Sequence, residues 1–534
     1  MSTLSDILGR GFFPKELPNP FTTTSFATAV GAAQPGTLPG ALSFAGSTKI
    51  PKGLEPGKLV KYSHARGGLR RRLLSIPNPI HYFLLCSEIC KSWTKLQPLV
   101  SDLTISATAP KPSPKGRALQ GAYGLKHRPD LETRTRLNNR FILKTDISRF
   151  YHSVYTHSIP WAILTKPIAK EKRSFTQSYA NRLDYWVRMG QDQQTVGIPI
   201  GPDTSLLIAE LVMQRCDREV ASKLPGLRGH RYIDDYELGF RYRTRAEDSY
   251  HHLEQILGKY ELALNPLKTS IHALPQDSES PWVSEITSFL IRTGATTQRA
   301  DLRRYFDLAF RHQNASREEP VLQLAVARLR NLHVHEQCWE RFQHLLLLAA
   351  SPYPACLPYV LENIILRVNK GNPLDKDSLE EVLNTLIEEH ACLPHSSEVA
   401  WSIWASIALD IPIHSDAVAE LEDSEDSVVA LLALHAESLG RMKRPLEKSK
   451  WLPHMTTEGL YDDQWLLAYE AAIKGWLPSQ GGGDHVSGDP AFNWMRNAGV
   501  SFYDIEGAAP PTPGTAPEPK PPTSSIFLFR EASA

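Results

Sequence analysis

Arg231-Tyr232-Ile233-Asp234-Asp235-Tyr236-Glu237-Leu238-Gly239-Phe240 consists of two short apolar runs that meet at adjacent acids. Alternation on both sides predicts a β-hairpin with Asp234 and Asp235 at its turn. Two carboxylates on a tight turn repel one another, so their placement beside apolar strands favours a shared cation. A solvated Asp-Asp turn explains an isolated pair equally well. What tells against it is a third acid upstream.

That acid is Asp146, in Phe141-Ile142-Leu143-Lys144-Thr145-Asp146-Ile147-Ser148-Arg149-Phe150-Tyr151. An apolar strand that ends in an acid holds the carboxylate rigidly while the turn beyond opens it to a ligand. Read alone, Asp146 serves equally as a helix N-cap. Between the two stretches lies Gly197-Ile198-Pro199-Ile200-Gly201-Pro202-Asp203-Thr204-Ser205, a Gly/Pro loop that enters a long apolar helix from Leu206 to about Val220. Such a loop lets backbone approach a ligand closely. The three pieces fall within about 90 residues. One acid from a strand and two from a hairpin at a common edge suit a pair of Mg²⁺ ions, the arrangement that serves phosphoryl transfer.

The bounds fit such an enzyme. A chain of 534 residues is too long for one compact core and predicts two or three domains. The net charge of +1 conceals a block from Pro51 to Thr145 with 18 Lys+Arg against 5 Asp+Glu. Such a block predicts a phosphate-facing surface. Six scattered cysteines without CxxC spacing, and no signal peptide, fit a cytoplasmic protein with free thiols. Cys86 with Cys90 and His335 with Cys338 read as core packing rather than half metal sites. No apolar run reaches membrane-spanning length.

With the motifs in order, residues 60 to 295 resemble reverse transcriptases. Tyr232-Ile233-Asp234-Asp235 is similar to their YxDD motif, Asp146 with Phe150 and Tyr151 to their first catalytic motif, and Gly197 to Ser205 to the loop-helix motif between. Arg71 to Pro77 is similar to the finger strand that holds the incoming triphosphate, and Leu264 to Thr269 to the later motif whose lysine approaches pyrophosphate. Ser288-Phe289-Leu290 resembles the primer grip. The resemblance implies an α+β fingers-palm core in a right-hand polymerase. It makes Asp146 and Asp234 ligands of two Mg²⁺, with Mn²⁺ as an alternative, supported by Asp235 and the Ile147 carbonyl. Tyr151 would exclude a ribose 2′-OH, so dNTPs are the implied substrate. Lys268 would act as general acid, and Arg71 and Arg72 would pair with phosphate.

Where most of the family has Pro-Gln-Gly, this chain has Pro199-Ile200-Gly201. Isoleucine cannot supply the glutamine's hydrogen bonds near the template base. Together with Ala209-Glu210, this resembles the abortive-infection group of antiphage reverse transcriptases, associated with untemplated and sometimes protein-primed synthesis. That resemblance implies DNA as product, a homo-oligomer and a phage-encoded trigger. It leaves open a noncoding RNA as template, and also a nucleic-acid-binding sensor scaffold.

The remaining chain is read from pattern. Residues 1–50 predict an irregular N-terminal arm, 51–295 the fingers and palm, and 296–477 an all-α domain. Within 51–295 a helix from Ile80 to about Leu96 should end at Pro98. In the all-α domain, apolar spacing of three and four recurs through Val321–Leu332, Cys338–Ala350, Leu357–Val368, Leu379–Glu389, Val399–Leu409 and Val428–Leu439. An interval of about 40 residues suggests HEAT-like repeats. Residues 478–534 predict a Pro/Gly-rich flexible tail that ends in the apolar segment Ile526–Phe529.

Overall fold

The computed structural model describes residues 3–508, apart from 35, 51–52 and 69. Among these residues, eight strands form three antiparallel sheets: β1 (Val60–Ala65) with β2 (Arg71–Ile76), β3 (Pro110–Pro112) with β4 (Leu119–Gly121), and a four-stranded sheet. The last is ordered β6 (Arg228–Tyr232), β7 (Asp235–Phe240), β5 (Phe141–Thr145), β8 (Ser270–Ala273). Residues directly opposite in an antiparallel pair share a face. The pairs Leu143↔Leu238 and Thr145↔Tyr236 therefore turn one way, and Lys144↔Glu237 the other. The first face packs on the helices Asp203–Lys223 and Arg243–Gly258. The second is covered at one end by the helix Arg128–Arg136, which packs so closely that a Cβ on Gly239 would meet the Thr135 carbonyl at 2.4 Å.

The helix that follows β2 obeys local rules. Asn78 caps a helix that starts at Pro79, where proline's missing N–H costs nothing. This helix runs to Val100, two residues beyond Pro98, because Leu96 and Val100, one turn apart, are both buried on its inner face. Proline in the last turn is thus outweighed by burial of the following apolar residue.

From Ala295 the chain is helical, with the helices Val321–Arg328, Trp339–Ala350, Leu357–Val368, Lys376–Ala391, Ser396–Leu409 and Ser427–Ser438 close to the expected positions. This region shares its core with the fingers. The edge strand β1 is capped by the Ser396 helix: Ser63 N–H donates to Ser396 Oγ and Ala65 N–H to Ser397 Oγ, each at 2.8 Å. Paired in this way, the edge is no longer open to another chain.

Both ends differ from the expectation. The N-terminal arm is not irregular: Leu4–Arg10 and Thr24–Ala32 are helices, the first closed by a Thr3–Asp6 capping box. Nor is the whole of 478–534 a flexible tail. Pro490–Asn497 is a helix, and Phe492, Met495, Phe502 and Tyr503 are fully buried. Phe502 lies 6.2 Å from Phe12 between ring centroids, and Phe12 stacks on Tyr82 of the fingers at 4.1 Å. Gly- and Pro-rich composition hid this, because few but large aromatic anchors carry the burial. The apolar segment Ile526–Phe529 lies outside the described residues.

The C-terminal strip is fastened by Glu470, a fully buried acid that accepts from Phe502 N–H at 2.5 Å and Ser501 Oγ at 3.0 Å. Burial raises its pKa from 4.5 to about 7. The folded chain therefore keeps this proton over a range in which the unfolded chain has lost it, and stability must fall as pH rises between those values. Replacing Glu470 with Gln should remove about 3 kcal/mol of that decline. Urea denaturation at pH 5 and pH 7.5 checks this; equal pH dependence in wild type and Glu470→Gln would contradict it.

Candidate active site

The hairpin begins with a guanidinium that no water reaches. Arg231 is fully buried. Its Nη1 and Nη2 donate to Glu210 at 2.8 and 3.0 Å, and Nε and Nη2 donate to Asp217 at 3.0 and 2.7 Å. Both acids lie on the helix Asp203–Lys223, seven residues apart and hence on one face. Ser106 and Thr108 donate to Glu210 at 2.8 and 2.7 Å, and Tyr236 OH to Asp217 at 2.7 Å. A buried ion cluster is tolerable when its hydrogen-bonding capacity is met, as here.

This cluster holds the turn. Tyr232 pairs with Asp235, so the two turn residues are Ile233 and Asp234, one position earlier than the sequence suggests, and Asp235 opens β7. Ile233 has φ +58°. A β-branched residue there is strained by roughly 1–3 kcal/mol. Two bonds hold it: Ile233 N–H donates to Thr108 Oγ1 at 3.1 Å, and its carbonyl accepts from Arg231 Nη1 at 2.5 Å.

Extending the Thr145↔Tyr236 register by one residue brings Asp146 opposite Asp235 on the same face. Asp146 and Asp234 are buried, while Asp235 is half-buried. Burial, joined by the charge of Asp146, raises the Asp235 pKa although Arg128 opposes the shift. Arg128 Nη2 stands 3.4 Å from Asp235 Oδ2, and Lys268 Nζ donates to Asp146 Oδ2 at 2.5 Å. Asp146 Oδ1 is buried with no hydrogen-bond partner among the described residues. Asp146 and Asp235 offer hard oxygens of the type Mg²⁺ takes, one of them orphaned, with Asp234 on the adjoining turn. Beside them, the bridge to residues 263–265 uses the Asp146 carbonyl and the Ser148 amide rather than the carbonyl of Ile147.

The other expected residues are placed as follows. Tyr151 is half-buried, its ring 5.3 Å from Phe150, and its carbonyl accepts from Ile198 N–H at 2.8 Å, which joins the first motif to the loop. Pro199 and Ile200 continue that loop. Ile200 is buried and its carbonyl accepts from Ser75 N–H of β2 at 2.8 Å. Gly201 has φ +128°, and a Cβ there would meet Pro14 Cγ at 2.7 Å, so the N-terminal arm packs on the loop. Arg71 is committed elsewhere: Nη1 and Nη2 donate to Glu398 at 2.6 and 2.7 Å, and Nε to Ser63 Oγ at 2.6 Å. Arg72 Nε is buried with no hydrogen-bond partner among the described residues.

The basic block is less open than its composition implies. Arg117 donates to Asp203 at 2.6 Å, Arg136 to Glu237 at 2.8 Å, and Arg70 pairs with Glu318. Lys111, Lys126, Arg134 and Arg140 remain exposed. Sequence reading places Arg128 only on the basic surface, and gives no role to the Arg231 side chain or to Asp217. The available signal was Arg231 itself, since an arginine inside an apolar strand requires acids to meet it.

A family model described as Reverse transcriptase (RNA-dependent DNA polymerase) matches residues 87–298. This stretch is similar to reverse transcriptase domains. The hairpin, Asp146, the Gly197 loop and Lys268 all fall inside it, whereas β1 and β2 lie before it. Among solved structures, the chain is similar to telomerase from Candida albicans in complex with a TWJ fragment of telomeric RNA. The identity is 11% and the TM-score 0.28, with 67% of this chain and 66% of that chain covered. No curated protein matches the sequence.

Removing Arg231 would leave Glu210 and Asp217 buried and unpaired. Arg231→Ala should cost about 3–5 kcal/mol of folding stability. A chemical-denaturation midpoint equal to that of wild type would show that the cluster does not hold the palm.

Proposed function

We propose that the chain polymerises dNTPs into DNA at the palm edge, within an antiphage-defence system. The observation that carries the catalytic part is the convergence of Asp146 and Asp235 on one face, with Asp234 at a strained turn between β6 and β7. Asp146, Asp234, Asp235 and the Ile147 carbonyl would hold two Mg²⁺. When bound, these ions lower the cost of charge at the attacking and leaving oxygens of the phosphoryl group. Lys268, already on Asp146, is within reach to hold or give a proton at the departing pyrophosphate. Tyr151 would close the sugar pocket. Arg72 is the finger arginine suited to phosphate, because Arg71 is tied to Glu398.

Untemplated synthesis is the finer reading, and Ile200 supports it. Its side chain is buried and apolar and its carbonyl is taken by Ser75, so the residue offers a template base no side-chain hydrogen bond. In this reading the HEAT-like helical region receives a phage trigger, the protein forms a homo-oligomer, and a hydroxyl of the chain primes the product. The exposed Lys111, Lys126, Arg134 and Arg140 favour a second reading, in which a noncoding RNA is held there as template.

The test is incubation of the purified protein with Mg²⁺ and each dNTP singly, without added template, before and after RNase treatment. Homopolymer that survives RNase supports untemplated synthesis, and RNase-sensitive product supports the RNA template. Asp234→Ala combined with Asp235→Ala should fold normally and lose incorporation by at least about 1,000-fold. An active double variant would overturn the assignment. Proteinase-sensitive partitioning of labelled DNA into phenol would support protein priming, and freely separable product would refute it.

A further inference from the structure

Among the described residues, one group of side chains away from the hairpin has the make-up of a metal site. His390 stands in the last turn of the helix Lys376–Ala391, His395 directly before the helix Ser396–Leu409, and Glu398 in the first turn of that helix. The two helices pack against each other, so the short turn between them fixes the relative positions of all three residues. His390 Nδ1 and His395 Nδ1 are 2.9 Å apart, and His395 Nδ1 is 3.9 Å from Glu398 Oε1. One donor atom from each residue falls within 4.8 Å of the others.

We propose that His390, His395 and Glu398 form a binding site for a divalent transition cation of the zinc class. Two imidazole nitrogens and one carboxylate oxygen are a borderline donor set, suited to Zn²⁺ rather than Mg²⁺. Bonds of about 2.0–2.2 Å in a tetrahedral arrangement put neighbouring donors about 3.3 Å apart. The observed 2.9 and 3.9 Å bracket that value, so small side-chain rotations suffice. Water takes the fourth position.

The surroundings prepare the donors. Two neutral imidazoles facing each other through Nδ1 share a single proton between two lone pairs. A cation uses both lone pairs and sends the protons to Nε2. Burial keeps His390 and His395 below the ordinary histidine pKa, which favours the neutral, ligating form. Glu398 is positioned from outside, as supporting residues commonly position ligands. Arg71 Nη1 occupies one lone pair of Oε1 at 2.6 Å, while Arg71 Nη2 and Ser397 Oγ meet Oε2 at 2.7 Å each. One lone pair of Oε1 remains available for the cation.

The location gives the site a consequence. Arg71 belongs to β2, so a cation on Glu398 would stiffen the contact through which the helical region grips the fingers. A histidine pair joined only by its hydrogen bond would show no such metal response.

The test uses the full chain carrying Asp234→Ala and Asp235→Ala, so that palm cations contribute little and failure here leaves the palm assignment untouched. Zn²⁺ should raise the melting temperature at one equivalent per chain, and Co²⁺ in its place should give visible d–d absorption. His390→Gln and His395→Gln should each weaken Zn²⁺ binding about 100-fold, and Arg71→Lys about 10-fold. Two outcomes would overturn the proposal: no Zn²⁺ response in the parent chain, or equal responses in the parent and both histidine variants. If one glutamine variant fails to fold, the other and the Co²⁺ spectrum of the parent decide.

Discussion

The four-stranded sheet and its hairpin turn depend on a fully buried arginine. Arg231 stands between Glu210 and Asp217 on the helix behind the sheet, and the same guanidinium reaches forward to the Ile233 carbonyl. One side chain therefore joins the helix layer to the turn that carries Asp234. The cluster is costly to desolvate and tolerable only because Ser106, Thr108 and Tyr236 complete it. In exchange, a β-branched residue is held at a φ that glycine normally occupies.

A second constraint lies at the fingers. β1 and β2 are fastened to the helical region by Ser396, Ser397 and the Arg71–Glu398 pair, and by the turn at Gly67, where a Cβ would meet the Glu318 carbonyl at 2.4 Å. The N-terminal arm adds a third tie, with Arg117 joining Gly11, Gly201 and Asp203. β2 and the N-terminal arm thus meet at the Gly197–Ser205 loop, while β1 and β2 are held from the other side by the helical region. Any displacement of β1 and β2 must therefore be transmitted to the helices that grip them.

What the sequence revealed and concealed follows from range. The hairpin, the strand before Asp146 and the helix after Gly201 were legible because alternation and Gly/Pro punctuation act over a few residues. The helices from Val321 onward were legible for the same reason. The partners of Arg71, Arg117 and Arg231 were not. Glu398 lies 327 residues from Arg71, and no local pattern links them. A charge count over 51–145 therefore suggested an open basic face, whereas several of its cations are neutralised by acids from other elements. The ends were misread for a related reason: Phe12, Phe492 and Phe502 carry their burial inside Gly- and Pro-rich surroundings.

Under the proposed function, Asp146, Asp234 and Asp235 act together as one divalent-cation site. Fe²⁺ bound at such a site generates hydroxyl radicals that cut the backbone beside its ligands. With ascorbate and peroxide, the account predicts cuts near residues 146 and 234 that excess Mg²⁺ suppresses. Cleavage that leaves both positions intact, or cuts there that Mg²⁺ does not compete away, would contradict it.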